Sequence, residues 1–339
     1  MVSSQTAPTG PVSGVVVIGR NERPRLAAAL TGIKAATAHL VYVDSGSTDG
    51  SAELAESMTV SVLRLDPAIP FSAARARNEG FAWLTARYPG LALVQFLDGD
   101  CVLDADWLAT AQATMAGNSQ IGIVVGQLVE RHPERSIYNR LCALEWKGPA
   151  GELTQWGEIG GIMAVRPEVF TRLNGFNTSI IAGEDSEFGV RVGLAGFKIV
   201  RLTAAMATHD ADMHRFGQWW QRTVRAGHAI GQRYAANGHT AARDGARERR
   251  SIGFWGLALP GICLLLAWPS GGLSLAGLAL AYVYLFSRIA RHRIKVGDGW
   301  KDSFIYSIFT VAGKWANAFG LLKYHISRRR GHFAIIEHK

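Results

Sequence analysis

The first two hundred residues alternate short apolar runs with stretches whose apolar positions recur every three to four residues. Residues 12–18 form a continuous run with β-branched side chains, as a buried parallel strand requires. Pro24 follows where a first helical turn tolerates proline, and Leu26, Leu30 and Ile33 then recur at helical spacing. A second strand is predicted at 39–43, ending at Asp44, with the turn Ser45-Gly46-Ser47 and a helix from about Thr48. Residues 60–65 read as a third strand, 73–87 as a helix, and 91–97 as a fourth strand ending at Asp98. Residues 121–140 read as strand then helix, and 167–173 as a short helix stopped by Gly175. A further helix opens at Glu184-Asp185, where acidic side chains suit the positive helix start; it buries Phe188 and Val192 and ends near Gly196, before a strand at 197–202. Such alternation predicts an α/β fold with a right-handed, mostly parallel sheet and helices on both faces. Ligands bind such sheets beyond the carboxyl ends of the strands, where Asp44 and Asp98 stand.

After about residue 215 the pattern changes. Residues 252–268 and 273–287 are two uncharged runs joined by Pro269-Ser270-Gly271-Gly272. Each is near the lower limit of about 17 residues for crossing a bilayer. Arg247, Arg249 and Arg250 precede the pair, Arg288, Arg291, Arg293 and Lys295 follow it, and the turn has no charge. The positive-inside rule then predicts a membrane hairpin with both ends cytoplasmic. Residues 304–322 carry Lys314 and Asn317 mid-segment and read as an interfacial amphipathic helix, with a third span as the alternative. The expected organisation is a flexible segment at 1–11, a catalytic domain at 12–215, a basic helical connector at 216–250, the hairpin with its interfacial helix at 251–325, and a basic tail at 326–339. A fragment ending near Arg243 is expected to be the more soluble part.

The net charge of +9 divides unevenly. Residues 1–212 hold 17 Lys and Arg against 22 Asp and Glu, a net −5; residues 213–339 hold 19 against 5, a net +14. Because the positive charge flanks apolar runs, its expected partner is anionic membrane lipid, which attracts each nearby cation by about 1 kcal/mol. No nucleic-acid-binding motif accompanies it, so nucleic acid is not an expected partner. Cys101, Cys142 and Cys263 lie far apart without CxxC or zinc-like spacing, which argues against a disulfide framework and against a cysteine-ligated metal. The polar first residues carry no secretory-signal pattern, and a reducing compartment is expected.

The chemistry concentrates at Phe96-Leu97-Asp98-Gly99-Asp100, two carboxylates at the end of an apolar strand. Such a pair holds a divalent cation, which neutralises a diphosphate and stabilises it as a leaving group; an ordinary acidic turn is the bland reading. Glu184-Asp185 supplies a second acidic pair at a helix start, suited either to capping or to removing a proton from a hydroxyl nucleophile. Arg222 and Arg225 share a helix face and are able to grip a diphosphate, while Trp219 and Trp220 are candidates for membrane-interface anchors.

Four segments, Asp44-Ser45-Gly46-Ser47-Thr48-Asp49-Gly50, Ala76-Arg77-Asn78-Glu79-Gly80, Asp98-Gly99-Asp100 and Gly183-Glu184-Asp185-Ser186-Glu187-Phe188, occur in one order. In that order they resemble the family-2 inverting glycosyltransferases of the GT-A fold, over roughly residues 12–230. The resemblance implies that Glu22 and Asp44 bind the donor's nucleoside, with Asp44 at the base, and that Arg77 and Asn78 line the same pocket. It implies Asp98 at the ribose or metal, Asp100 on the metal, His209 completing the metal site, Asp185 as general base, and Glu184 positioning acceptor or base. The cofactor is then Mn2+ or Mg2+. Gln218-Trp219-Trp220-Gln221-Arg222 resembles the Gln-Arg-Trp-type segment of processive relatives only in part, because its tryptophans precede its arginines.

The expected protein is therefore a GT-A, Rossmann-like domain followed by membrane-associated helices. It transfers a sugar (hexosyltransferase type) from a nucleotide-sugar donor to a hydroxyl of a lipid-linked or other saccharide acceptor, at the cytoplasmic face of the inner membrane, in surface polysaccharide synthesis. Its rivals are a polyprenyl-phosphate glycosyltransferase and a catalytically inactive membrane scaffold. A dinucleotide-dependent oxidoreductase is disfavoured because Gly19-Arg20-Asn21-Glu22 follows the first strand in place of G-x-G-x-x-G.

Overall fold

A computed structural model describes residues 12–37 and 39–330. The expected flexible segment at 1–11 and the tail beyond 330 lie outside the described residues. The first apolar run forms β1 (Val12–Gly19), with Val15, Val16 and Val17 fully buried. It leads into α1 (Arg23–Ala36), where Pro24 sits in the first turn and Leu26, Leu30 and Ile33 are fully buried. Each of those side chains stabilises the core by about 1.5–3 kcal/mol. The next elements are β2 (Leu40–Asp44), α2 (Ser51–Ser57), β3 (Ser61–Arg64), α3 (Ala73–Arg87) and β4 (Leu91–Asp98). Helix α2 starts later than Thr48 because Asp49 first closes a turn, its Oδ1 accepting from the Ser51 amide (3.0 Å) and hydroxyl (2.6 Å).

These four strands run parallel in the order β3-β2-β1-β4. The sheet grows from β1 toward β3 on one side and then reverses to add β4 on the other. At that reversal Gly19 lies beside Asp44 and Ile18 beside Asp98. Crevices at such reversals bind ligands, so the two strand-end aspartates flank the expected place.

Beyond β4 come β5 (Cys101–Leu103), α4 (Trp107–Ala116), β6 (Ile121–Glu130), α5 (Ile137–Glu145), β7 (Gly151–Glu152), β8 (Met163–Val165), α6 (Pro167–Arg172), α7 (Glu184–Leu194) and β9 (Lys198–His209). Here the parallel pattern stops. Strand β8 lies between β4 and β6, antiparallel to both, and β9 pairs antiparallel with β5 and β7. The sheet is mixed, and the mostly parallel expectation holds for its first four strands. Strands of two or three residues show no period in a sequence, and antiparallel neighbours need no crossover helix to announce them.

The described chain forms two compact units. One contains residues through Val129, Gly148–Ser179 and Glu184–Asp210; the other contains Glu130–Lys147, Ile180–Gly183 and the chain from Ala211 onward. The second unit holds α5 and the C-terminal helices α8 (Phe216–Asn237), α9 (Ala246–Gly253), α10 (Leu259–Leu265), α11 (Leu273–Lys295) and α12 (Trp300–Arg330). Helix α5 joins it through a bidentate pair between Arg140 and Asp302 of α12 (2.7 and 2.5 Å), and through Leu141 and Cys142, which pack with Trp219 and Phe309. Trp219 is thus a core side chain, stacked edge-on to Phe309 at 5.0 Å.

The two uncharged runs differ in form. The run at 252–268 is interrupted by a π turn at Phe254–Ala258, immediately before Pro260, whose missing N–H breaks regular helix pairing. The run at 273–287 extends to Lys295 as α11, the one helix among the described residues long and apolar enough to cross a membrane. The segment 304–322 lies inside α12, which packs on α8 at backbone distance: a methyl group at Gly320 would overlap the Val224 carbonyl, and one at Gly227 would overlap Asn317 backbone atoms. Its other face exposes Phe304, Ile308, Trp315 and Phe319.

Candidate active site

The loop after β1 and the turn after β2 are bound together in the first unit. Asn21, in the left-handed region (φ 58°) that asparagine tolerates, accepts the Thr48 amide at 2.8 Å. Its own N–H donates to Ser47 Oγ (2.9 Å), and the Glu22 N–H donates to Ser51 Oγ (3.0 Å). Asp44 is buried and accepts the Gly46 and Ser47 amides (3.1 and 3.0 Å) and the Tyr42 hydroxyl (3.3 Å). Burial, then the Asp44 charge, raises the Tyr42 pKa above its ordinary value, so the phenol stays a donor. Glu22 is buried and paired with Arg25 at 2.7 Å. The two residues assigned to the nucleoside by the resemblance therefore lie in one bonded pair of loops, each fixed by local bonds.

Arg77 of α3 links the two acidic pairs. Its Nη2 donates to Asp98 Oδ1 at 2.8 Å and its Nη1 to Glu184 Oε1 at 2.6 Å, with only 3% of its side chain exposed. Burial alone would lower its pKa, but the Asp98, Glu184 and Asp185 carboxylates outweigh it and raise the pKa. Arg77 therefore remains a cation. Gly161 makes room for it, since a side chain there would overlap the guanidinium. Asp185 is partly exposed at the start of α7, one oxygen accepting the Ser186 amide at 2.7 Å. Asn78 makes a two-way clamp on the Phe176 backbone (2.8 and 2.9 Å), which occupies the amide that the resemblance assigned to the nucleotide pocket.

A third group lies at the β5–β9 junction. Asp100, Cys101 and His209 place one donor atom each within 4.8 Å of one another. His209 Nε2 is 3.5 Å from Asp100 Oδ1, and Cys101 Sγ donates to the same oxygen at 3.4 Å. One carboxylate, one imidazole and one thiol at this spacing fit a divalent cation. Asp98, expected at the ribose or metal, pairs through Oδ1 with Arg77, and Cys101 stands in the group with Asp100 and His209. Its adjacency to Asp100 was the available signal. In the second unit Arg222 pairs with Glu145 at 2.6 Å, which together raise its pKa despite burial, and Arg225 lies on the same helix.

The model for glycosyl transferase family 2 matches residues 14–170, the stretch that carries β1 through β8 and both Asp98 and Asp100. The chain carries a family-2 glycosyltransferase domain. A second model, described as the N-terminal domain of galactosyltransferase, matches residues 144–215 of this transferase and so includes Glu184, Asp185 and His209. The transferase is 23% identical over 231 residues to glycosyltransferase AglE of Haloferax volcanii, covering 65% of this chain and 73% of that one. It is 30% identical over 171 residues to the succinoglycan biosynthesis protein ExoA of Rhizobium meliloti, covering 48% of this chain and about half (51%) of that protein. Its fold resembles the mannosyltransferase PcManGT of Pyrobaculum calidifontis, solved with GDP-Man and Mn2+ (TM-score 0.58, 21% identity, 94% and 91% coverage). It also resembles residues 1–349 of TarS from S. aureus (TM-score 0.52, 14% identity, 95% and 92% coverage). These likenesses establish the GT-A fold of the transferase.

Proposed function

We propose that this transferase moves a sugar, with inversion, from a nucleotide-sugar donor to a hydroxyl of a lipid-linked saccharide, at the cytoplasmic face of the membrane, during surface polysaccharide assembly. The observation that carries this reading is Arg77, which holds Asp98 at the end of β4 and Glu184 at the start of α7 about one buried guanidinium. In this reading the donor-side and acceptor-side acids are held beside one another by that guanidinium. The nucleoside would occupy the crevice bordered by Glu22 and Asp44, and a cation held by Asp100 and His209 would stabilise the departing diphosphate. Arg222, expected at that diphosphate, is engaged by Glu145 within the second unit.

Asp185 is assigned the acceptor proton. A sugar hydroxyl is a weak nucleophile, and a positioned carboxylate that removes its proton accelerates attack by about 10²–10⁴-fold. Attack on the face opposite the leaving diphosphate inverts the anomeric centre in one displacement. Glu184, fixed by Arg77, positions the turn from which Asp185 projects. The succinoglycan assignment of ExoA, the GDP-Man and Mn2+ of PcManGT, and the exposed apolar helix α11 support the donor, metal and membrane parts of the reading.

Single-turnover transfer by Asp185→Asn is the test, with donor binding and melting temperature measured beside it. A loss of about 10²–10⁴-fold in turnover with donor affinity unchanged is expected. A near wild-type rate would remove Asp185 as base and favour a polyprenyl-phosphate acceptor, which is already ionised and needs no base. Fractionation tests the anchor: the full chain is expected in membranes, and its recovery in the detergent-free soluble fraction would reject membrane attachment.

A further inference from the structure

We infer that Cys101 is a metal ligand, so that this transferase's cation site takes thiophilic divalent cations, Zn2+, Cd2+ and Co2+, through a thiolate–metal bond. The inference rests on the reading that Asp100 and His209 hold a cation, and adds to it the residue that sets which cation is held tightest. Cys101 and His209 stand directly opposite each other in the antiparallel β5–β9 ladder. Directly paired residues project from the same face of a sheet, so the thiol and the imidazole are delivered together by strand pairing. Asp100, the residue before Cys101, supplies the third donor from the entrance of the same strand.

The spacing matches the chemistry. A tetrahedral ion with bonds of about 2.0 Å to oxygen and nitrogen and about 2.3 Å to sulfur separates its ligand atoms by about 3.3–3.5 Å. The Asp100 oxygen lies 3.5 Å from His209 Nε2 and 3.4 Å from Cys101 Sγ. The three donor atoms all lie within 4.8 Å of one another, so small side-chain movements close them on one ion. Cys101 is fully buried, while His209 keeps 19% of its side chain exposed, so an ion enters past the imidazole. On entry the Cys101 S–H bond is exchanged for an S–metal bond and the proton leaves to buffer; no electrons are transferred. The other cysteines differ. Cys142 sits in an apolar cluster with Leu141 and Trp219, where burial pushes its thiol up to about 11, and Cys263 lies in α10.

A thiolate ligand discriminates among metals. Mg2+ and Mn2+ prefer oxygen and nitrogen donors and gain little from sulfur, whereas Zn2+ and Cd2+ gain much. Zn2+ closed on all three side chains keeps one position of a tetrahedron and has less room for a diphosphate than Mn2+. Zn2+ is therefore expected to displace Mn2+ and inhibit transfer.

The experiment uses detergent-solubilised full-length protein, stripped of metal and titrated with Co2+. Wild type is expected to show visible d–d bands together with a near-ultraviolet thiolate-to-cobalt charge-transfer band. Cys101→Ser should keep the d–d bands and lose the charge-transfer band, and its Zn2+ affinity, read by competition with a chromogenic chelator, should fall at least roughly 10–100-fold. The Cys142→Ser/Cys263→Ser double variant should keep the band, and a thermal melt checks that each variant is folded. Co2+ bound with d–d bands alone in wild type, or a charge-transfer band that survives Cys101→Ser, overturns the assignment of Cys101 while leaving Asp100 and His209 as ligands. Failure of wild type to bind Co2+ at all overturns both.

Discussion

Arg77 keeps its charge out of water because Asp98, Glu184 and Asp185 surround it. Such a group is costly to leave half-paired, since removing one partner of a buried pair strands the other. Asp100 carries a different burden. It is buried beside Cys101 and His209, and in the proposed reading its negative charge serves the cation. Asp100→Asn is expected to abolish transfer while the melting temperature changes little, and excess chelator should do the same to the wild type. Activity surviving either treatment would reject the metal assignment. At this scale the placement of Asp44 and Asp98 at strand ends was legible in the sequence, because strand ends follow from apolar runs. The nearness of Cys101 to His209 was not legible, because His209 is distant in sequence and only the β5–β9 pairing brings the two together.

Elements with a clear period were read correctly. Helix α3 (Ala73–Arg87) has the predicted bounds, and α7 buries Phe188 and Val192 fully, as its spacing requires. Strands β5, β7 and β8 are too short to carry a period, which is why the antiparallel half of the sheet was not foreseen. The α8–α12 crossing was hidden for another reason: its closest backbone approaches fall at glycines, which no hydrophobic pattern registers. Gly320→Ala drives a methyl group into the Val224 carbonyl, and backbone cannot yield as a side-chain tip can. A destabilisation of about 1–3 kcal/mol is expected from such overpacking, read as a lower melting temperature; an unchanged value would show that the helices do not cross this closely. The same helix pair holds a titratable group. His228 of α8 lies edge-on to Tyr324 of α12, and burial, then the Lys323 charge, pushes it down to about 4, against a hydrogen bond with Gln232. Unfolded histidine protonates near about 6.5, so between that pH and about 4 the unfolded form binds the extra proton. Stability is full above the upper value and falls as pH drops through the window. His228→Asn should flatten the melting-temperature profile across it, and parallel profiles would exclude His228 as the cause.

For the whole molecule, the division into two compact units alters what a truncation does. Ending the chain near Arg243 was expected to free a more soluble fragment by deleting apolar runs. It also strips α8 of α12, leaving Trp219, Val224 and Gly227 without their cover, and removes Asp244, the partner of Arg233. The fragment is now expected to aggregate, measured as the fraction remaining in the supernatant after high-speed centrifugation; a soluble monomer would show that α8 is stable alone. The apolar composition of the C-terminal half was legible in the sequence, but its role as partner to α5 and α8 was not, because packing partners are chosen by shape as well as by polarity. The strand pairing also has a consequence in time. Ribosomes add about 5–20 residues per second, so after Leu103 emerges roughly 5–20 s pass before Ala207–His209 arrive to pair with β5. Until residues 163–165 emerge the outer edge of β4 waits for β8, and until 207–209 follow the cysteine and acid that await the histidine are held by half a sheet. A nascent chain of this transferase thus spends seconds with an open strand edge, and the interval from 103 to 207 is where a chaperone would find the most to protect.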